Sequence, residues 1–177
     1  MNKVSIIDEL QLIELAEDDD LSAFNSSSED LNDFLKKDAW IYQKNLMGKT
    51  FLCKYKENIV AYITLLTDSI KVKEIQNEDK EEKVHISYYP AVKIGRLAVD
   101  QRFEHQGIGT FLLKTAIGNA IELSKYAACR FVILDAKRES IEFYKKQYFK
   151  LIKKHEKKRY PTMYFDLLPV YEEIKKR

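Results

Sequence analysis

Apolar and polar residues alternate through QLIEL at 11–15, the period-2 pattern of a half-buried strand. The period then lengthens. From Ser26 onward Leu31, Phe34, Leu35, Tyr42 and Leu46 recur near 3.6-residue spacing behind serines able to cap, which predicts a helix ended by Gly48. TFLCKY (50–55) and IVAYITLLT (59–67) are rich in β-branched and aromatic residues and predict two antiparallel strands, with KEN as the turn between them. KEIQNEDKEEK (73–83) has no apolar period and predicts a surface loop that interrupts the sheet without opening a domain. A strand VKIGRLAV (92–99), a glycine-containing turn and a helix to about Tyr126 come next, with Phe111, Leu112, Thr115, Ala116 and Ile121 facing inward. RFVILDA (130–136) is almost continuously apolar, as expected of a strand buried on both faces and paired parallel with 92–99. SIEFYKKQY (140–148) predicts a short helix with Ser140 near its start. FKLIKK (149–154) and TMYFDL (162–167) predict two closing strands around HEKKRYP.

This order is an α/β pattern, and 177 residues with 45% hydrophobic and 12% aromatic composition suit one domain, 1–177, with a sizeable core. Cys53 and Cys129 lack metal-ligand spacing and are too few for a disulfide framework, so the expectation is a reducing cytoplasm and no metal. The N-terminal MNKVSIIDELQLIEL carries acids where a signal peptide needs an apolar run, and no stretch reaches the roughly 18 apolar residues of a membrane span. The formal charge of +2 conceals an asymmetry. Residues 1–35 hold ten acids against Lys3, and residues 145–159 hold eight bases against Glu156. Two solvated faces, or surfaces for two different partners, both fit that division.

The candidate chemistry lies in the turn after residue 99. Helix N-termini present unpaired N–H groups and partial positive charge, and glycines admit an anion close to them, so strand, glycine turn, helix favours phosphate. A nucleotide P-loop would need Lys followed by Ser or Thr after its second glycine, and a dinucleotide fold would need a third glycine; HQGIGTFLL has neither. GIG taken alone equally suits glycines that permit tight helix packing.

RLAVDQRFEHQGIGTFLL resembles the coenzyme A pyrophosphate-binding motif of the GNAT family of N-acetyltransferases, a bulged strand followed by Gln/Arg-x-x-Gly-x-Gly/Ala. SIEFYKKQYF resembles that family's later helix, with its FYxxxGF signature. More narrowly, LSAF, LNDFLKKDAWIYQKN, KTFLC, VAYITLLTDSI and GRLAVD resemble the branch containing toxin–antitoxin acetyltransferases that acylate aminoacyl-tRNA. The resemblance implies a mixed, mostly antiparallel sheet of six or seven strands, splayed in the middle, with helices on both faces. It implies acetyl-CoA as co-substrate and an amine acceptor attacked directly, aminoacyl-tRNA among the candidates beside a protein amine or a small amine. The oligomeric state stays open, a homodimer included.

Transferred residue by residue, the resemblance sets the backbone of Leu97, Ala98 and Val99 along the pantetheine, with their side chains ordinary core. Gln106, Gly107, Ile108, Gly109 and Thr110 would hold the pyrophosphate, with Glu104 and His105 starting the turn. His105 also reads as a solvated turn residue. Tyr144 matches the tyrosine beside the coenzyme sulfur, where a phenol of pKa about 10 can protonate a thiolate of pKa about 8.5. Its other reading is a packing aromatic beside Phe143 and Tyr148. Lys137 lies where an Asn often meets the coenzyme, or is solvated. Glu104 stands where the motif has Gln or Arg, and Tyr148 where it has Gly. These two substitutions also fit a catalytically idle binding module on the same fold, and the five acids to three bases of 73–83 count against a loop that faces tRNA. No general base is apparent, and His85 and Arg96 receive no role. An α-amine of pKa about 7.7–8.0 needs less help than a lysine near 10.4.

Overall fold

The computed structural model describes residues 5–176; Met1–Val4, where the segment read against a signal peptide begins, and Arg177 lie outside the described residues. In chain order the elements are β1 (Gln11–Glu14), α1 (Glu29–Asp33), α2 (Ala39–Lys44), β2 (Lys49–Tyr55), β3 (Asn58–Lys71), β4 (Tyr88–Val99), α3 (Ile108–Leu123), β5 (Phe131–Asp135), α4 (Ile141–Lys146), β6 (Lys150–Leu151), β7 (Thr162–Asp166) and α5 (Leu168–Lys175). One seven-stranded sheet has the order β1-β2-β3-β4-β5-β7-β6. β1–β2, β2–β3, β5–β7 and β6–β7 pair antiparallel, and β4–β5 pairs parallel from Ala91↔Phe131 to Ile94↔Leu134. That pairing stops at Ile94, although β4 itself continues to Val99. The fold is thus the mixed, mostly antiparallel α/β sheet expected from the sequence.

The described residues fall into two compact units, one running to Leu66 and including Gly95–Thr115, the other holding Thr67–Ile94 and everything from Ala116. The first is built on Leu15, Phe24, Phe34, Leu35, Ala39, Leu52, Tyr62 and Ala98, all buried. Its helical segment does not run smoothly from 26 to 46. A wide π-helical turn at Phe34–Asp38 separates α1 from α2, and it leaves Phe34 and Leu35 both buried. Gln43, buried on α2, donates to Leu15 O at 2.7 Å and accepts from Thr50 N at 3.0 Å, so one amide satisfies a backbone group just past β1 and another in β2.

The second unit packs Ile70, Ile75, Tyr89, Ala91, Phe131, Ile133, Ile152 and Tyr164. Here the charged segment 73–83 is more than a solvated excursion. Asp79 is 8% exposed and accepts from Lys150 Nζ at 2.9 Å and from the Tyr164 hydroxyl at 2.8 Å, while Arg130 donates to its carbonyl at 3.1 Å. Burial would lower the Lys150 ammonium; its bonds to Asp79 and Glu78 hold it raised instead. The loop is pinned by one buried carboxylate, a long-range arrangement that no local period announces.

Further boundaries differ from the sequence reading: β3 runs on to Lys71 and β4 starts already at Tyr88, each four residues beyond the expected strand. α3 ends at Leu123, and Tyr126 lies beyond it on an exposed turn. Besides Leu112 and Ala116, the helix buries Ile108, Leu113 and Ala120; Phe111, Thr115 and Ile121 are only half-buried. The FKLIKK strand shrinks to Lys150–Leu151, because a 3-10 turn takes over at Lys153–His155. α5 lies after the last predicted strand, opened by Pro169 in its first turn, with Asp166 accepting from Leu168 N at 2.9 Å.

Candidate active site

In the first unit, β4 ends at Val99 and the chain reaches Asp100, which is fully buried. Its carboxylate accepts from Asn25 N at 2.9 Å, from Arg102 N at 3.0 Å, and from the Arg102 guanidinium through two bonds of 2.9 Å. Burial alone would raise this carboxyl; the Arg102 guanidinium and the two backbone donors hold it below the ordinary carboxylate value. Asp100 N donates in turn to Val60 O at 2.8 Å. One side chain therefore ties the end of β4, the 25–26 segment and the start of the turn together. The sequence reading did not single out Asp100 or Arg102, although an acid directly after a strand and two residues before an Arg is a visible turn signal.

A 3-10 turn at Gln101–Phe103 leads to Glu104, half-buried, whose N–H reaches Gln101 O at 3.4 Å. His105 and Gly107 then adopt left-handed φ values of 61° and 84°, and His105, Gln106 and Gly107 are exposed. At Gly107 a Cβ would meet nothing closer than Ile7 at 3.7 Å, so the backbone conformation and not crowding favours glycine there. Gly107 O accepts from Phe111 N at 3.0 Å, which makes Gly107 the cap of the 16-residue α3. The N–H groups of Ile108, Gly109 and Thr110 have no acceptor inside the helix, and the left-handed residue before them turns successive donors toward one side. Such a cradle fits a diphosphate. Leu97, Ala98 and Val99 precede it on β4, with Ala98 buried in the core and its neighbours half-buried.

In the second unit, β5 is followed by Lys137, half-buried, whose carbonyl accepts from Ser140 N at 2.9 Å as the chain turns toward α4. Tyr144 lies on α4, half-buried, edge-on to Phe143 at 5.1 Å and to Phe149 at 6.0 Å. Burial pushes its phenol up to about 12. Among the described residues no protein group is hydrogen-bonded to that hydroxyl, so the ring is held by packing and its proton is uncommitted. Leu97 to Thr110 thus form one contiguous segment of the first unit, and Lys137 and Tyr144 lie on one stretch of the second, before and on α4.

A family model described as the acetyltransferase (GNAT) family matches residues 10–149. A tRNA-acetylating toxin of Mycobacterium tuberculosis (strain ATCC 25618 / H37Rv) is 24% identical over 125 residues, 69% of this chain and 72% of its own. Among solved structures, AtaT complexed with acetyl-methionyl-tRNAfMet superposes with a TM-score of 0.83 at 20% identity, over 93% of this chain and 99% of that one. A tyrosine-to-phenylalanine mutant of the AtaT toxin, bound to the C-terminus of the antitoxin AtaR and acetyl-CoA, gives 0.75 at 21% identity, over 95% and 99%. At these identities the solved structures establish likeness of fold.

Proposed function

The chain belongs to the acetyltransferase (GNAT) family, and from that premise we propose that it transfers acetyl from acetyl-CoA to the α-amine of an aminoacyl-tRNA. The observation that carries the co-substrate is the cap of α3, where a left-handed Gly107 precedes three helix N–H groups that have no acceptor within the helix. Gln106 to Thr110 hold the diphosphate in this reading, with Glu104 and His105 at its edge and Lys137 near the coenzyme. Main-chain N–H groups of Leu97, Ala98 and Val99 lie along the pantetheine and donate to the oxyanion that develops on the thioester oxygen.

The chemistry asks little more of the protein. The amine nitrogen attacks the thioester carbon, a C–N bond forms, the C–S bond breaks, and sulfur takes the Tyr144 proton. The amine releases one proton to water, and the phenolate regains one from solvent. A phenol near 12 keeps its proton at neutral pH. Burial that raises a phenol raises a thiol by the same mechanism, so a thiolate leaving away from water is a stronger base than in solution. The α-amine acceptor suits a site with no side-chain base, because a substantial share of it is already neutral near pH 7.5.

An RNA acceptor is supported by the tRNA that the similar toxins act on or bind and by the charges of this chain. The acids of 73–83 read as repelling a polyanion, yet Glu78 and Asp79 are paired with Lys150, and Glu74 faces His155 at 3.6 Å. Lys150 thus answers two of the five acids, while Lys153, Lys154, Lys157, Lys158 and Arg159 stay exposed. We also read residues 1–177 as one domain, since β3, β4 and α3 each run through both units. Both cysteines are free, which fits a reducing cytoplasm, and among the described residues no helix is long and apolar enough to cross a membrane.

The test is transfer of labelled acetyl from acetyl-CoA to charged tRNA, a lysine peptide and a polyamine side by side. Label on the α-amine of the charged tRNA is expected. Label on the lysine peptide or the polyamine alone would replace the acceptor and leave the transferase reading standing.

A further inference from the structure

The turn that ends α4 carries a tyrosine in a backbone conformation that L residues avoid. Tyr148 has a φ of 66°, and its N–H donates to Lys145 O at 2.9 Å. Glycine sits in that region without strain, whereas a Cβ is disfavoured there. The fold shows no internal return for the ring. Tyr148 is 82% exposed, and among the described residues it stacks on no other ring, while its neighbours Tyr144, Phe149 and Phe165 pack against one another. The left-handed turn itself closes α4, with Phe149 N donating to Tyr144 O at 3.1 Å, so the helix end accounts for the backbone; what the fold leaves without a partner among the described residues is the ring, held out in water.

The surroundings indicate the kind of contact. Lys145 and Lys146 precede the ring on the last turn of α4, and Lys145 is paired with Glu142 at 2.8 Å. The basic turn at 153–160 is tied to the approach to α4, because Arg138 donates to Glu156 O at 3.0 Å and to Lys158 O at 2.8 Å. At its end the Arg159 guanidinium lies 5.2 Å from the centre of the Tyr160 ring, itself partly exposed. Exposed aromatics set among lysines and arginines match the needs of a single-stranded nucleic acid. Every base offers a π-face to stack on, and cations hold the phosphates on either side. A paired duplex would use the cations and leave the ring idle.

We propose that Tyr148 is a stacking platform for an unpaired base of the acceptor RNA, with Lys146 and the 153–159 cations holding the flanking phosphates; this rests on the RNA-acceptor reading above. Tyr148→Gly relieves the strain while removing the ring, and Tyr148→Trp keeps a stacking surface. Steady-state acetylation is measured with charged tRNA and with a small aminoacyl amide, alongside thermal melting and sedimentation. Tyr148→Gly is expected to raise KM for charged tRNA about 5- to 100-fold, to change kcat on it less than about twofold, and to melt within a few degrees of wild type or above it. Tyr148→Trp is expected to return KM to within a few-fold of wild type. An unchanged KM in Tyr148→Gly overturns this inference alone. So does an equal loss with the small amide, which would place Tyr148 in the transfer chemistry, or a change in sedimenting mass, which would make it a contact between copies. A wild-type protein that acetylates the amide and not the charged tRNA overturns the acceptor reading and this inference with it.

Discussion

Tyr144 is the one side chain that gives up a proton in the proposed reaction. Its hydroxyl is free of protein partners among the described residues, and its ring is fixed by Phe143 and Phe149, so removing the oxygen should leave the packing intact. Tyr144→Phe is therefore expected to lower kcat by about 10²- to 10⁴-fold, with coenzyme affinity within a factor of about two of wild type. Calorimetry with acetyl-CoA and a thiol-release assay separate the two quantities; a variant with wild-type turnover would make the tyrosine a packing residue. The raised phenol also fixes a pH dependence. Its folded value of about 12 lies above the 10.0 of an unperturbed tyrosine, so the folded state holds the proton more tightly. The stability this contributes is complete below pH 10 and lost as pH rises through 12. Wild type should lose stability across that window, and Tyr144→Phe should lose less, as denaturant midpoints taken at several pH values would report. On the same grounds Tyr144 imposes no alkaline fall in kcat below pH 10.

At the scale of elements, the turn between β4 and α3 depends on two residues with different duties. Gly107 supplies the left-handed φ and the open approach to the helix N–H groups. Gly107→Glu and Gly109→Glu should each abolish measurable acetyl-CoA binding by calorimetry and leave the far-UV spectrum close to wild type. Asp100 supplies rigidity. Because Arg102 is half-exposed, the ion pair itself contributes little, and the cost of Asp100→Ala comes mainly from leaving the N–H groups of Asn25 and Arg102 unpaired, about 1–3 kcal/mol. Its lowered carboxyl contributes stability that is present above about pH 3.8 and lost as pH falls through the folded value, so Asp100→Asn should flatten the acid end of the stability curve. Much of this element was legible in the chain, since the change from period 2 to period 3.6 across GRLAVDQRFEHQGIGTFLL locates strand, turn and helix. Asp100 was less visible, because its partners at Asn25 and Val60 lie far away in sequence. The same reason hid Asp79, whose anchors on Arg130, Lys150 and Tyr164 are 51, 71 and 85 residues away. The π-turn at Phe34–Asp38 escaped because one wide turn shifts apolar spacing by less than a residue. α5 is a different case: Pro169 in the first turn, followed by Tyr171 and Ile174, was a readable helix start.

Across the whole molecule, the division of charge sets the final expectations. The acid-rich first 35 residues and the basic 145–159 stretch nearly cancel in the net charge of +2, so net charge says little about a polyanionic partner and the local surface decides. If the exposed lysines meet RNA phosphates, affinity for tRNA should fall by about 0.7–0.9 log units per log unit of salt for each phosphate neutralised. Replacing Lys153, Lys154, Lys157 and Lys158 with Gln should flatten that slope and depress acetylation of charged tRNA while sparing a small aminoacyl amide. Equal retention of both activities would leave those lysines as a solvated face. Transfer of an acetyl group from acetyl-CoA to an amine is measured by incubating the purified protein with labelled acetyl-CoA, charged tRNA and a panel of free amines, then counting acetyl in each fraction against thiol released. One thiol is expected per acetyl transferred, with the label on the α-amine of the charged tRNA and almost none transferred by Tyr144→Phe. No label above the uncatalysed background in any fraction, with no coenzyme binding by calorimetry, would contradict the proposed transfer.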